Sequence, residues 1–263
     1  MDLGLKEKVA IVAAASYGLG KAVAKELAQE GCRVTICSRS QGTIEAAAND
    51  IRQATGGEVL AVQADLTDLE QIKHFVQTTT DKFGTVHVLF ANAGGPPPGQ
   101  FIQLTDDQWE STVQLTLMST VRLCREVLPY MQKQKWGRII LSTSYAVKNP
   151  IDNLILSNSI RLAVVGLGKT LANEVAKDGI TVNTVCPGWT YTERVEQLLT
   201  DRAQRQGLTV EQTMAQITNT IPMGRMGRVE EFAAAVAFLA CERASYITGV
   251  ALQVDGGATR GPF

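Results

Sequence analysis

The sequence predicts an α/β protein: a doubly wound parallel sheet between two layers of helices, with a helical lid insertion. Two observations predict it. Short, continuous apolar runs alternate with amphipathic helical segments from end to end, and each parallel crossover needs a helix to bring the chain back. The first run is followed by a Gly-rich turn, Ala14-Ala15-Ser16-Tyr17-Gly18-Leu19-Gly20, which opens the first helical segment.

The elements follow in order. Residues 9–13 form an unbroken apolar run, as a strand buried on both faces requires. Residues 20–30 place Ala22, Val23 and Leu27 on one helical side. A strand at 34–37, a polar helix at 43–54 and a strand at 59–62 come next. Thr67 with Glu70 predicts a capping box for a helix ending near Phe83. Residues 86–91 read as the fourth strand, and Thr105 with Gln108 as a second box opening a long helix that ends before Gly137. Strand 138–141, helix 157–176 and strand 181–185 follow. Thr209 with Gln212 caps a short helix, and helix 229–240 and strand 251–254 close the pattern. The interval 189–228 contains no strand pattern and carries mixed charge; an insertion of that length in a compact unit is characteristically a lid or binding loop. No linker or repeat divides the chain, so residues 1–263 are expected to form a single domain.

Composition excludes several classes of function. Lys+Arg 25 against Asp+Glu 26 leaves a net charge of −1, which offers no electrostatic footprint to nucleic acid or an anionic membrane. Hydrophobic residues at 45% with 19% charged exclude a disordered chain. No apolar run follows a basic stretch at the N-terminus, and the longest apolar run, 232–241, is half a membrane span. A cytoplasmic protein without a membrane segment is expected. The five cysteines are scattered, with no CxxC pair, and read as buried apolar residues in a reducing compartment, with no metal site. His74 and His87 have no ligand or triad partner at a usable spacing, so a histidine mechanism is not expected.

Glycines at 18 and 20, between a strand and a helix, let backbone approach a phosphate at the helix N-terminus. Further landmarks stand at strand ends: Asp65, Asn92-Ala93-Gly94, Ser144, Pro187-Gly188 and Val254-Asp255-Gly256-Gly257. On these residues the chain resembles the short-chain dehydrogenase/reductase family over nearly its full length, in particular its 3-oxoacyl-ACP reductase-like members. The resemblance implies a Rossmann-type fold. It also implies that Gly18, Leu19 and Gly20 cradle a pyrophosphate, with Ala14, Ser16 and Tyr17 beside it. Asp65 and Leu66 would flank the adenine, and Asn92, Ala93 and Gly94 would line the ribose. Pro187, Gly188, Thr190 and Thr192 would hold the nicotinamide end. Where the family has Thr-Gly at the start of the turn, this chain has Ala13-Ala14, so a negative φ is expected at Ala14. The second strand ends in Cys37-Ser38-Arg39-Ser40 without a carboxylate. Ser38 is small and Arg39 can pair with a phosphate, so NADP(H) is expected over NAD(H).

The family's chemistry is hydride transfer at a carbonyl. A tyrosine gives the proton, a lysine four residues on lowers its pKa, a serine holds the oxygen and an asparagine completes a relay. Aligned on residues 166–172 and 179–183, the serine position is Ser144, but the tyrosine falls on Ser157, the lysine on Arg161 and the asparagine on Thr116. Serine is a far poorer acid than a phenol. Arg161 keeps the charge, with donors for ribose hydroxyls or an oxyanion, and four residues apart it shares a helix face with Ser157. Ser144 and Ser157 are expected as a two-hydroxyl clamp with water delivering the proton, and Tyr145 and Tyr191 as alternative acids. Tyr17 belongs to the turn, Tyr130 to packing and Tyr246 to a structural segment. In the lid, Trp189, Leu198, Leu199, Met214, Ile217, Ile221 and Met223 are expected to pack on one another, over a mainly apolar pocket with Arg194, Arg202 and Arg205 solvated at its rim. The resemblance implies a homotetramer or homodimer acting on a small-molecule substrate. The expected function is an NADP(H)-dependent carbonyl/alcohol oxidoreductase with a non-standard catalytic site. The alternatives are a nucleotide sensor of the same fold and an enzyme of this fold with non-redox chemistry.

Overall fold

Seven strands pair in parallel in the order β3-β2-β1-β4-β5-β6-β7. A computed structural model describes residues 2–261; Met1, Pro262 and Phe263 of the expected domain lie outside the described residues. The strands are β1 (Val9–Val12), β2 (Arg33–Ser38), β3 (Val59–Gln63), β4 (Val88–Ala91), β5 (Gly137–Ser142), β6 (Ile180–Pro187) and β7 (Ala251–Val254). Every residue of β1, β4, β5 and β6 is buried. That burial is why these strands read as continuous apolar runs rather than alternating ones. The strand order reverses between β1 and β4, which opens a crevice at their carboxyl ends.

Helices cover both faces. On one, α1 (Gly18–Gln29), α2 (Gln41–Thr55) and α9 (Val229–Ala240) bury Val23, Leu27, Ile44, Phe232 and Val236 against the sheet. Phe232 meets Phe90 of β4 edge-on, with ring centroids 6.1 Å apart. On the other face, α3 (Leu69–Phe83), α5 (Ser119–Gln134) and α6 (Ile155–Val175) bury Ile72, Phe75, Leu123, Val127 and Val164. The boundaries move by one or two residues from the sequence reading, and helix 229–240 and strand 251–254 coincide with it.

Two local expectations are corrected. The cap of α3 is Asp68, whose Oδ1 accepts from the N–H groups of Glu70 and Gln71. Thr67 instead donates both its N–H and its hydroxyl to Asp65 Oδ1, because a preceding aspartate offers it an Asx turn. The long helix after Thr105 begins as α4 (Asp106–Thr112), passes through a π-helical stretch (Val113–Met118) and continues as α5. Hydroxyls take up carbonyls at the interruption: Ser119 Oγ donates to Leu115 O at 2.5 Å and Thr120 Oγ1 to Thr116 O at 2.9 Å. The capping boxes at Thr105 and Thr209 form as expected.

The 189–228 interval holds α7 (Glu193–Gln206) and α8 (Val210–Thr218), and a bridge between Thr190 and Gly227 ties its ends together. Leu199, Ile217, Ile221 and Met226 form a small core of their own, joined by Trp189 and Met214. Self-packing therefore describes most of the apolar stripe, but Leu198 stands outside this small core and Met223 is 63% exposed. Tyr130 packs against the main core. Tyr246 is fully exposed and has no packing role. The cysteines are buried free thiols, and burial pushes Cys32, Cys37 and Cys124 up to about 12. Among the described residues, no helix is long and apolar enough to cross a membrane.

Candidate active site

The Gly-rich turn is pinned between two strand ends. Ala13 N–H donates to Phe90 O at 3.1 Å, and Ala15 N–H to Cys37 O at 3.0 Å. Between them Ala14 adopts φ +50, so the expectation of a negative φ there is overturned. The tight reversal between the two anchors demands the left-handed region, whatever residue supplies it. A non-glycine residue pays about 1–2 kcal/mol for that conformation. Ala14→Gly relieves it while loosening the unfolded chain, so a net stabilisation of about 0.5–1 kcal/mol is expected, read as a Tm roughly 2 °C higher.

Downstream, Gly20 packs so closely that a Cβ there would sit 2.3 Å from Ala14 O. The N-cap of α1, Tyr17, makes no side-chain cap bond, and the first turn carries no acidic residue. By contrast, Ser40, Asp68 and Thr192 cap α2, α3 and α7. The first amides of α1 are therefore left open toward the crevice, where backbone N–H groups and the helix dipole favour an anion. This fits a dinucleotide pyrophosphate.

A cleft of about 440 Å³ runs from this turn across the strand ends. Of the residues expected to bind a cofactor, Ala14, Tyr17, Gly18, Leu19, Gly20, Asn92, Ala93, Gly94, Pro187, Gly188, Thr190 and Thr192 line it. Asn92 also braces the turn, its Nδ2 donating to Ala14 O at 3.3 Å. Ser16, Ser38, Arg39, Asp65 and Leu66 lie outside the cleft wall, at the ends of β1, β2 and β3. Leu66 is 5% exposed and packs into the core. Arg39 is exposed and makes no ion pair among the described residues.

At the other end of the cleft stand Ser144, Tyr145, Ser157 and Arg161. Ser144 follows β5 with an extended backbone, and its Oγ accepts from Ala146 N–H at 3.1 Å. Ser157 and Arg161 lie one turn apart on α6, and Arg161 Nε donates to Ser157 Oγ at 3.2 Å. Arg161 Nη1 donates to the carbonyls of Ser142 and Thr143, at 3.3 and 3.1 Å. The guanidinium is thus fixed to the end of β5. It is 8% exposed, and burial pushes its pKa down to about 10, with the Cys186 thiol opposing. Burial also raises the Tyr145 phenol, which the Trp189 indole partly offsets.

Two catalytic candidates fall elsewhere. Tyr191 is off the cleft wall and borders a separate hollow of about 340 Å³. Its hydroxyl donates to Glu196 Oε1 at 2.6 Å, which raises its pKa. Thr116 is buried in the π-helical stretch, off the cleft wall, and its Oγ1 has no partner. Arg194, expected at the rim, is exposed and lines the cleft, and it makes a contact that sequence reasoning did not foresee: its Nη2 donates to Pro96 O at 3.1 Å. That bond ties the lid to the loop after β4.

Residues 13–259 match the family described as Enoyl-(Acyl carrier protein) reductase. The 3-oxoacyl-(acyl-carrier-protein) reductase FabG of Salmonella typhimurium is 35% identical over 257 residues, which is 97% of this chain and 98% of that protein. Dehydrogenase/reductase SDR family member 4 of Oryctolagus cuniculus is 34% identical over 255 residues, 97% of this chain and 94% of that one. Among solved structures, L-sorbose reductase from Gluconobacter frateurii, complexed with NADPH and L-sorbose, matches with a TM-score of 0.95 at 30% identity, covering 99% of this chain and 100% of that one. With the family model matched over residues 13–259, relatives of 34–35% identity covered over nearly their whole length and a solved structure superposing with a TM-score of 0.95, the chain belongs to the short-chain dehydrogenase/reductase family of oxidoreductases.

Proposed function

We propose that the protein is an NADP(H)-dependent oxidoreductase that interconverts a small carbonyl compound and its alcohol through a serine–arginine site. The observation that carries this reading is the Ser157–Arg161 pair facing the same cleft as the glycine turn. A bound reduced nicotinamide supplies hydride to the carbonyl carbon. The chain's residues handle the oxygen. Ser144 and Ser157 hold it by hydrogen bonds, and the Arg161 guanidinium, donating to Ser157 Oγ, favours negative charge building there. One proton, taken up by the oxygen from the Tyr145 phenol or from water in the cleft, completes the alcohol. Gly18, Leu19 and Gly20 would hold the pyrophosphate, and Asn92 and Gly94 the ribose. A cytoplasmic homotetramer or homodimer belongs to this reading; its assembly is supported by the exposed Phe238 on α9, Val250 just before β7 and Leu252 on β7.

The test follows NADPH consumption with a panel of carbonyl compounds. Ser157→Ala is expected to lower turnover by about 10–100-fold. Tight NADPH binding without turnover of any carbonyl would favour a cofactor-binding protein instead. Of the two tyrosines, Tyr145 alone lines the cleft, and its raised pKa keeps the phenol protonated through and beyond neutral pH. Tyr145→Phe is expected to lower turnover about tenfold and Tyr191→Phe to leave it unaltered. Unchanged turnover in Tyr145→Phe would assign the proton to serine-held water alone.

NADP(H) preference rests on the unpaired Arg39 guanidinium, on the absence of a carboxylate at the end of β2 and on the NADPH complex of the L-sorbose reductase. Arg39→Ala is expected to weaken NADPH binding about tenfold and leave NADH binding unchanged, read by calorimetric titration. Equal affinities of the unaltered protein for the two cofactors would remove this role.

A further inference from the structure

Arg161 is a buried cation without a counter-charge. The other buried arginine, Arg138, faces Glu242 Oε2 at 3.5 Å. No carboxylate among the described residues pairs with Arg161. Glu193 lines the cleft from the exposed first turn of α7. Asp255 spends its carboxylate on the N–H groups of Gly257 and Thr259, each at 2.9 Å. A buried charge held only by dipoles is costly unless a ligand supplies the opposite charge.

The donors of Arg161 can be counted. Nε serves Ser157 Oγ, and Nη1 serves the two carbonyls of Ser142 and Thr143. Nη2 donates to nothing among the described residues, and it is not among their buried polar atoms left without partners. Its two N–H groups therefore open into the cleft that Arg161 lines. Nε and Nη2 share one edge of the planar guanidinium. An oxygen bound at Nη2 thus lies beside Ser157 Oγ.

We propose that the substrate carries a free carboxylate next to its carbonyl: a 2-oxo acid, or the matching 2-hydroxy acid in the reverse direction. Such a molecule presents a carboxylate oxygen and the carbonyl oxygen on one edge. The Nη2 donors take the carboxylate, and Ser157 with Ser144 takes the carbonyl oxygen. Arg194 adds a second positive charge at the cleft wall. The proposal rests on the redox reading of the same cleft. It separates this chain from reductases whose substrate carboxyl is masked in a thioester.

The full-length protein, saturated with NADP+ so that no reduction occurs, is titrated calorimetrically with 2-oxobutanoate and with 2-oxobutanamide, which has nearly the same shape without the charge. The acid is expected to bind at least about tenfold more tightly than the amide. Arg161→Gln is expected to abolish that preference and Arg161→Lys to keep part of it, with circular dichroism and a cooperative thermal transition confirming that each variant is folded. Equal binding of acid and amide to the unaltered protein overturns the proposal, as does a preference that survives Arg161→Gln. Should Arg161→Gln fail to fold, the acid–amide comparison and Arg161→Lys still decide. NADPH consumption with both compounds is followed in parallel. Acid-selective binding without consumption upholds the charge assignment and overturns the redox reading. Consumption of neutral carbonyls without acid preference overturns the carboxylate assignment alone.

Discussion

Arg161→Met is expected to lower turnover by about 10²–10³-fold while leaving Tm unchanged or higher. The two halves have one cause. The guanidinium is stripped of water and faces no carboxylate, which pushes its pKa from 12.5 down to about 10. That shift corresponds to about 3 kcal/mol, at order of magnitude, by which the charged group opposes folding. The sign follows from the direction. A cation whose folded pKa is depressed costs stability wherever it is protonated in both states. The cost is therefore constant below about pH 10 and fades only above it. Methionine fills a similar volume without the charge and removes the cost. It also removes the three hydrogen bonds to Ser157, Ser142 and Thr143, each with a net worth of about 1 kcal/mol. The two effects offset in stability, but nothing offsets the lost field at the reacting oxygen. Thermal unfolding and NADPH consumption on the same sample check both halves. A Tm lower by more than about 5 °C, with activity falling only in proportion to folded protein, would make Arg161 a brace between β5 and α6 rather than a functional charge.

The sheet was legible because a parallel strand buried on both faces cannot hide its pattern. Val88–Ala91 and Ile180–Pro187 are fully buried runs whose composition announces them. The glycine turn was legible for a similar reason, since Gly20 meets backbone that no side chain could clear. What escaped depends on competition or on tertiary closure. Thr67 and Asp68 are both good caps. Asp68 took the role only because Asp65 had already engaged Thr67. The π-helical stretch around Thr116 has no sequence signature of its own; the hydroxyls of Ser119 and Thr120 accommodate it. The φ of Ala14 follows from two anchors supplied by β2 and β4, which are far apart in sequence. Arg194 reads as one rim arginine among three, and its contact with Pro96, 98 positions earlier, exists only once the lid is in place. At the serine–arginine end, the alignment expected Ser144, Ser157 and Arg161 to stand together, and all three line one cleft. What it could not supply was the missing counter-charge, because an absent contact is visible only when every neighbour is in place.

Gly20→Ala is expected to weaken NADPH binding by more than about a hundredfold and to destabilise the fold by about 2–3 kcal/mol. The added Cβ would lie 2.3 Å from Ala14 O and 2.9 Å from Ala15 Cα, both backbone atoms, well inside contact distance. A flexible side chain would swing away; this backbone cannot. Ala13 and Ala15 are held by hydrogen bonds of 3.1 and 3.0 Å to β4 and β2, and Ala14 already occupies a left-handed conformation. Displacing Ala14 O also breaks the bond from Asn92 Nδ2, so the strain reaches the second strand end that lines the cleft. The uncapped amides of α1 move with the turn, which is why binding suffers more than stability. Gly42→Ala is the control. Nothing lies within 4 Å of its added Cβ in the first turn of α2, so it is expected to be neutral or to stabilise by about 0.5 kcal/mol and to leave NADPH binding unchanged. Calorimetric titration and thermal unfolding of both variants check the pair. Normal NADPH affinity in Gly20→Ala would mean that the turn is only a packing device and that the anion site lies elsewhere. A loss of binding with intact folding would place the phosphates at the first amides of α1.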